Sequence, residues 1–269
     1  MRNQLQFVLT RILLIFISVF LVNSCSEDIQ VSGTSWDPVP FVPTENQMIN
    51  HFLELACPDA TLPDGGRARF EPARWRPGVI RVYYDHSVSE LHRQKLNRFM
   101  EELTSHLGSN ELSFEVSNDL NEFDIGIVHG TPDYKNAVFG TSHNPPPTTW
   151  WGGTIGEGDC RTITKKYIWY NPPRLIMNTL KHEFLHALGF YHASSGLESI
   201  MYHSIPENSE EMSELDIIAL KLLYYNGELG MVSKPNEDED CTLDEYYLLE
   251  EELDLFTSRL ESIITNNFN

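Results

Sequence analysis

Three histidines, a glutamate and a glycine fall within eleven consecutive residues of this chain, in a pattern that can bind zinc. His182 and His186 are four residues apart, so in a helix their imidazoles lie one turn apart on the same face. Gly189 tolerates a left-handed backbone and can end the helix with a sharp turn that brings His192 round as a third ligand. Three neutral imidazoles leave a fourth zinc position open for water, as in catalytic sites. Glu183 is then placed to take a proton from that water.

A helix whose histidines are ordinary core or surface residues is the alternative interpretation of this segment. For a single histidine that alternative would be favoured. The five positions together, however, match by chance in about one of ten thousand chains of this length. The spacing therefore predicts one catalytic zinc ion bound by His182, His186 and His192, with Glu183 as the general base.

The same segment resembles the zinc-binding consensus of the metzincin metallopeptidases. Ser199–Tyr202 resembles the Met-turn of that family, and Ser213–Tyr224 is similar to the last helix of the catalytic domain in the matrixin branch. The resemblance covers residues 168–225 and extends back to about residue 78. It implies that Met201 lies beneath the zinc as a hydrophobic floor without being a ligand.

The chain departs from parts of the family in two places. Astacin-like and serralysin-like members carry a tyrosine two residues after the Met-turn methionine, where this chain has His203. Its tyrosine is Tyr202, as in matrixins, so no tyrosine ligand is predicted and His203 is interpreted as a loop residue near the cleft. Matrixins also bind a structural zinc and calcium ions in an aspartate- and glycine-rich loop, whereas Gly152–Asp159 is glycine-rich but lacks the histidines. Structural calcium therefore has no support in this sequence.

The first 24 residues have the pattern of a lipoprotein signal peptide. Two arginines accompany the apolar run Ile12–Val22, which is too short to form a stable membrane-spanning helix. A small residue and then Cys25 follow, which resembles the lipobox of bacterial lipoproteins, where the cysteine is lipidated. An ordinary secretory signal with an incidental cysteine is the alternative. We expect an exported protein anchored through Cys25 to the bacterial outer membrane, and the acidic Ser26–Asp28 favours display at the cell surface.

The chain is strongly acidic, with 19 Lys and Arg against 39 Asp and Glu and a formal net charge of −20. Loss of the two signal-peptide arginines makes the mature charge about −22. Such a surface excludes nucleic acid and anionic membranes as partners bound by charge. It either attracts cationic peptide segments or simply keeps an exported protein soluble.

Three cysteines remain after Cys25, namely Cys57, Cys160 and Cys241. In an oxidising compartment one disulfide among them is expected, but the sequence does not choose the pair. Cys57 is also a candidate for the propeptide cysteine that blocks zinc in matrixin zymogens. Because the flanking residues of that motif are absent, half of a disulfide or a buried thiol is the prediction.

Hydrophobic periodicity predicts an α+β fold with a twisted, mostly parallel sheet and two long helices, and the resemblance implies the zincin-like version of it. The first helix, Ser89–Leu107, follows the first strand and implies a crossover to the next. The second begins at the N-cap Asn171, carries the histidines and ends at Leu188. The predicted strands are Ile80–Asp85, Leu112–Val116, Asp124–Val128 and Lys166–Tyr170.

An edge strand at Ala137–Thr141 is also predicted, and in the family the corresponding edge pairs main chain to main chain with an extended substrate. The residues that follow, Asn144–Gly158, are predicted to form a loop. Its Trp150 and Trp151 either line the cleft or anchor the loop in the core.

Four segments are predicted along the chain: a signal peptide at 1–24, a tether and N-terminal extension at 25–77, a catalytic domain at 78–228, and an acidic linker with a C-terminal helix at 229–269. Glu45–Ala56 is amphipathic and either packs on the catalytic domain or forms a pro-like segment. Thr242 and Glu245 form a capping box for the C-terminal helix. Its apolar stripe must be buried by the catalytic domain, by Glu45–Ala56 or by a partner.

Together these features imply a zinc-dependent endopeptidase that cleaves protein or peptide substrates at the cell surface or in the periplasm. Two other functions fit the same residues. One is a zinc hydrolase of non-protein amides, and the other is a catalytically silent surface lipoprotein with a binding role. The presence of Glu183 and the lack of an obvious fourth protein ligand argue against the silent protein.

Overall fold

Four parallel strands and one antiparallel strand form the central sheet of the protein, which is described by a computed structural model. The structure describes residues 41–61, 67–70, 72–108, 111–142, 152–158, 162–171, 176–193, 199–202, 211–225, 247–248 and 250–268. All of the helices and strands below lie in the compact unit formed by residues 43–269.

The spatial order of the central sheet is β4–β3–β5–β7–β6, with only β6 antiparallel to its neighbour. The predicted strands are confirmed within a few residues, and the helix between the first two makes the expected crossover. Gly152 pairs with Tyr170 and Thr154 with Ile168, which fixes the position of the edge strand β6. The five strands are β3 (Gly78–Tyr84), β4 (Leu112–Ser117), β5 (Ile125–His129), β6 (Gly152–Gly158) and β7 (Ile163–Tyr170).

Two long helices pack together beside the sheet. Helix α2 (Glu90–Leu107) confirms the predicted range within one residue; the Ser89 hydroxyl caps it by accepting from the His92 amide, and it ends at Gly108. Helix α4 (Ile176–Ala187) carries two of the three histidines. The rings of Phe99 and Phe184 meet at 6.4 Å between these helices, and both side chains are buried. An α+β fold with a mostly parallel sheet is therefore confirmed.

The predicted edge strand at Ala137–Thr141 is wrong, because these residues end helix α3 (Pro132–Phe139) and its cap. Thr131 caps the helix, Pro132 occupies the first turn, and Gly140 ends it in a left-handed conformation. These are all helix-boundary signals. The helix covers the face of the sheet opposite α2 and α4 with aromatic contacts such as Phe139 to Tyr167.

The edge strand is instead Gly152–Gly158, the last part of the segment predicted to be a loop. Gly153 lies so close to the Trp169 ring that an added Cβ would stand 2.1 Å from it. Small residues let this strand approach its neighbour, but they remove the side-chain alternation by which a strand is recognised. Trp150 and Trp151 lie outside the described residues.

The two terminal extensions share one hydrophobic core with the sheet and its helices. Helix α1 (Glu45–Ala56) starts with a capping box between Thr44 and Gln47 and buries its apolar face against α5 (Glu214–Leu223). Helix α6 (Glu250–Asn267) contacts α1 as well, with the Phe52 and Phe256 rings 6.2 Å apart. The C-terminal stripe is therefore buried within the chain. The boundaries at residues 78 and 228 stay predictions.

A small antiparallel sheet also links the two extensions. Its strands are β1 (Asp59–Thr61), β2 (Arg67–Phe70) and β8 (Tyr247–Leu248), in the order β1–β2–β8. Among the residues that the structure describes, none of the helices combines the length and apolar character needed to cross a bilayer. The signal peptide, Cys25 and the capping box at Thr242 lie outside the described residues.

Truncation of Phe256 should measure how strongly α6 is tied to the core. Phe256 is 4% exposed whereas its neighbour Leu255 is 50% exposed. We expect Phe256→Ala to lower the free energy of unfolding by about 3 kcal/mol and Leu255→Ala by about 0.5 kcal/mol or less. Urea denaturation of both variants measures the difference, and equal losses would show that α6 does not pack on α1 in solution.

Candidate metal centre

The C-terminal end of α4 is held by side chains from two other segments. The Trp75 indole N–H donates to the carbonyl of Ala187 at 2.8 Å, and the Tyr224 hydroxyl donates to that of Leu188 at 2.7 Å. The next residue, Gly189, has φ of +107°, and an added Cβ would stand 2.1 Å from the Ala73 carbonyl oxygen. Only glycine fits this turn, which reverses the chain as the spacing predicted.

The turn brings the three predicted histidines together. The Nε2 atoms of His182 and His186 are 3.0 Å apart, those of His186 and His192 are 3.1 Å apart, and those of His192 and His182 are 3.2 Å apart. This is the only group of three or more His, Cys, Asp or Glu side chains within the described residues that is close enough to bind a metal ion. The group runs from buried His182 to exposed His192, so it is open to solvent on one side.

Backbone carbonyls determine which nitrogen of two of these rings faces the centre of the group. His182 Nδ1 lies 2.7 Å from the Ile200 carbonyl and His186 Nδ1 lies 2.6 Å from the Phe190 carbonyl. A carbonyl only accepts, so each Nδ1 must carry the proton, and the Nε2 of the neutral ring is left with its lone pair. Two lone pairs that face each other at 3.0 Å repel unless a cation lies between them.

The histidine group has the dimensions and charge state that a zinc ion requires. Zinc–nitrogen bonds of 2.0–2.1 Å in a tetrahedral site place the ligand nitrogens about 3.3 Å apart, close to the 3.0–3.2 Å separations found here. Burial lowers the pKa of His182 to about 4 and that of His186 well below its usual range. Both imidazoles are therefore neutral near pH 7, which is the form that binds metal.

Glu183 lies beside these ligands with its carboxylate enclosed by the edge strand. Its side chain is 7% exposed, and the Thr154 hydroxyl lies 3.0 Å from Oε2. An added Cβ on Gly152 would stand 2.9 Å from Oε1, so a glycine there lets β6 cover the carboxylate. Burial raises the pKa of Glu183 to about 8, and the hydrogen bond from Thr154 opposes that shift. A nearby cation would favour the ionised carboxylate further.

Sequence reasoning missed Thr154 and Gly152 as parts of this site. Their only signal is that small residues alternate along β6, and this becomes informative only when the strand is known to border α4. Ser213 and Asp216 form a capping box at the start of α5.

Asp216 also holds the segment that resembles the Met-turn. Its buried carboxylate accepts from the Ser199 hydroxyl at 2.6 Å and from the Ile200 amide at 3.2 Å. The Ile200 carbonyl is in turn the acceptor for His182 Nδ1. Asp216 therefore supports His182, a candidate metal ligand, through the peptide group of Ile200. Partners of this kind fix the tautomer and orientation of ligands.

The structure describes only some of the remaining predicted residues. Met201 is fully buried, and its carbonyl accepts from the Ala193 amide next to His192. Its role as a floor beneath the metal stays a prediction. Cys57 has a buried thiol that does not belong to the metal-binding group. His203, Cys160 and Cys241 lie outside the described residues.

The Asp216 carboxylate should make part of the folding stability depend on pH. Burial by itself would raise its pKa, but hydrogen bonds from His51 and Ser199 outweigh it and hold the pKa below the usual value. Because the pKa of Asp216 is lower in the folded than in the unfolded chain, the ionised carboxylate stabilises the fold above about pH 4. This contribution is lost as the pH falls through the folded-state pKa. We expect the free energy of unfolding to fall more steeply between pH 5 and pH 3 in the wild type than in Asp216→Asn.

Urea denaturation at both pH values measures this difference, which approaches about 1.4 kcal/mol per pH unit for one proton. The comparison is made on metal-free protein, so that zinc release does not contribute. An identical pH dependence in the two proteins would show that Asp216 is not held as a stabilised carboxylate.

No protein-family model matches this chain, and no curated protein matches it. His182, His186 and His192 lie close enough to bind a metal ion, with Glu183 buried beside them.

Proposed function

We propose that the protein is a zinc-dependent endopeptidase of the metzincin type. The observation that carries this proposal is the convergence of three histidine Nε2 atoms at separations of 3.0–3.2 Å. Two of these rings also place Nδ1 within hydrogen-bond distance of a backbone carbonyl. Three imidazoles with an open side are typical of catalytic zinc sites, whereas structural sites use four protein ligands. The adjacent Glu183 adds the base that hydrolysis needs.

In this proposal each residue of the site has one chemical role. A zinc ion bound by His182, His186 and His192 would lower the pKa of its water and polarise the scissile carbonyl. The Glu183 carboxylate would accept a proton from the attacking water and pass it to the leaving amine. The hydroxyl of Thr154 lies 2.8 Å from the Glu183 carbonyl oxygen and 3.0 Å from its carboxylate, so it holds the carboxylate against the backbone of α4.

The position of β6 favours a peptide substrate over a small amide. One edge of β6 pairs with β7, and no described strand pairs with its other edge. The strand also borders the site directly, because Thr154 contacts Glu183 and a Cβ added to Gly152 would stand 2.9 Å from Glu183 Oε1. An extended peptide that pairs with the open edge would run past the catalytic carboxylate, as in β-augmentation. The substrate edge expected at Ala137–Thr141 is therefore proposed at Gly152–Gly158.

The proposed location follows from the N-terminal sequence. A signal peptide that ends just before Cys25 supports export and lipid anchoring to a bacterial outer membrane. The acidic residues after Cys25 support display at the cell surface. A peptidase in this position would act on extracellular or periplasmic proteins and peptides.

Cleavage of unfolded casein by the full-length protein tests this proposal. Bound zinc is quantified, removed with a chelator and then restored, and Glu183→Gln prepared in the same way controls for contaminating proteases. We expect about one zinc per chain, and cleavage that disappears on chelation and returns with zinc. Stoichiometric zinc without cleavage of casein or of a mixed peptide library would contradict the proposal and support a binding role.

A further inference from the structure

A buried histidine on the N-terminal helix is bonded to the carboxylate that supports the metal centre. His51 on α1 is 1% exposed, and its Nε2 lies 2.8 Å from Asp216 Oδ1, across 165 residues of sequence. Its other ring nitrogen, Nδ1, is buried and has no hydrogen-bond partner among the described residues. An apolar side chain would fill this position without the free-energy cost of burying an unsatisfied polar atom. The contact with Asp216 is therefore the evident reason for a histidine at this position.

Hydrogen bonds link this contact to His182, the first of the proposed zinc ligands. Asp216 Oδ2 accepts from the Ile200 amide at 3.2 Å, while Oδ1 accepts from the Ser199 hydroxyl and faces His51. The Ile200 carbonyl accepts from His182 Nδ1 at 2.7 Å. A shift of the Asp216 carboxylate would therefore move the peptide group that orients the His182 ring.

The same helix also holds the third ligand by a second, independent contact. The Tyr191 amide donates to the Leu55 carbonyl at 2.7 Å, and His192 is the next residue. Helix α1 thus contacts both segments that follow α4: the turn that carries His192 and the segment that supports His182. It does so from within the shared core, where Phe52 and Leu55 are fully buried.

We propose that α1 is a permanent part of the metal centre and that His51 is a positioning residue, which orients His182 through Asp216 and Ile200. The inference rests on the proposed zinc site and extends it to a segment outside the part of the chain that resembles a known family. It has a consequence for activation. Processing that produces active protein should cut before Thr44, because loss of α1 would remove both contacts.

Metal affinity in three variants of the full-length protein tests the role of His51. His51→Leu keeps the volume and removes the donor, whereas the amide of His51→Gln can still reach Asp216. Phe52→Leu is the matched control, because it weakens the packing of the same helix without touching Asp216. Zinc affinity is measured by competition with a chelator, the visible spectrum of the cobalt(II)-loaded protein reports ligand geometry, and thermal unfolding reports stability.

We expect His51→Leu to bind zinc about tenfold more weakly and to change the cobalt spectrum, since loss of such supporting partners costs tenfold or more. His51→Gln should stay within about twofold of the wild type by the same reasoning. Phe52→Leu should lose thermal stability with unchanged affinity. Wild-type affinity and spectrum in folded His51→Leu would overturn the inference, as would an equal loss of affinity in Phe52→Leu.

If His51→Leu does not fold, His51→Asn replaces it, because its shorter amide falls short of Asp216. Weaker zinc binding by His51→Asn than by His51→Gln supports the inference, and equal binding overturns it. A wild-type protein that binds neither zinc nor cobalt overturns the proposed function as well. If the wild type binds zinc and substitution of His51 leaves the zinc affinity unchanged, this inference alone is overturned.

Discussion

Glu183→Ala is expected to lower kcat/KM for peptide hydrolysis by about 10³-fold, because a positioned general base typically contributes 10²- to 10⁴-fold. Zinc content should not change, since the three ligand nitrogens belong to other residues. The fold should also persist, because the substitution removes a buried carboxylate whose raised pKa reflects the cost of burying its charge. The variant therefore separates chemistry from metal binding.

Initial rates on a fluorogenic peptide, with zinc quantified in the same samples, measure this effect. Glu183→Gln keeps the size and the contact with Thr154 but cannot take a proton, so it should be nearly as inactive. Glu101→Ala, an exposed residue on α2, is the control for loss of a negative charge and should retain wild-type rates. If Glu183→Gln kept more than half of the activity, another residue would have to be the base.

Gly189→Ala is expected to lower the free energy of unfolding by about 3 kcal/mol or more and to weaken zinc binding. Two costs combine at this position. The backbone φ of +107° is unfavourable for a residue with a Cβ, and that Cβ would stand 2.1 Å from the Ala73 carbonyl oxygen. Relief of the clash requires the turn to move, and this turn carries the Phe190 carbonyl that orients His186 and leads to His192.

Gly140→Ala separates these two costs. Gly140 also has a positive φ, +66°, but nothing lies within 4 Å of an added Cβ. That variant should lose only about 1 kcal/mol and should bind zinc normally. Urea denaturation and chelator competition on both proteins measure the difference. Equal stability losses, or unchanged zinc affinity in Gly189→Ala, would show that the turn is not held against Ala73.

The parts of the fold that could be predicted are those with strong local signals. The long helix that follows Ser89 could be predicted because its apolar residues recur at helical spacing, which is a local pattern. The grouping of the three histidines could be predicted because its signals are local as well. Two lie one helical turn apart, and the third follows a glycine whose left-handed conformation is a local property.

The rest of the site depends on contacts between distant segments. The strand Gly152–Gly158 has few side chains on either face, so its glycines predict a loop. Its pairing with β7 is evident only from the structure. Thr154 became informative only when this strand was found next to Glu183. His51 is one polar residue on an amphipathic helix, and nothing in its neighbourhood in the sequence points to Asp216.

Zinc K-edge X-ray absorption on the purified full-length protein tests the central claim most directly, because it reports the number and type of ligands around the metal. An open catalytic centre predicts three imidazole nitrogens at about 2.0–2.1 Å and a single oxygen from water, with no sulfur. A sulfur at about 2.3 Å or a fourth imidazole would indicate a closed structural site. Either of those results, or the absence of zinc, would contradict the proposed hydrolytic centre.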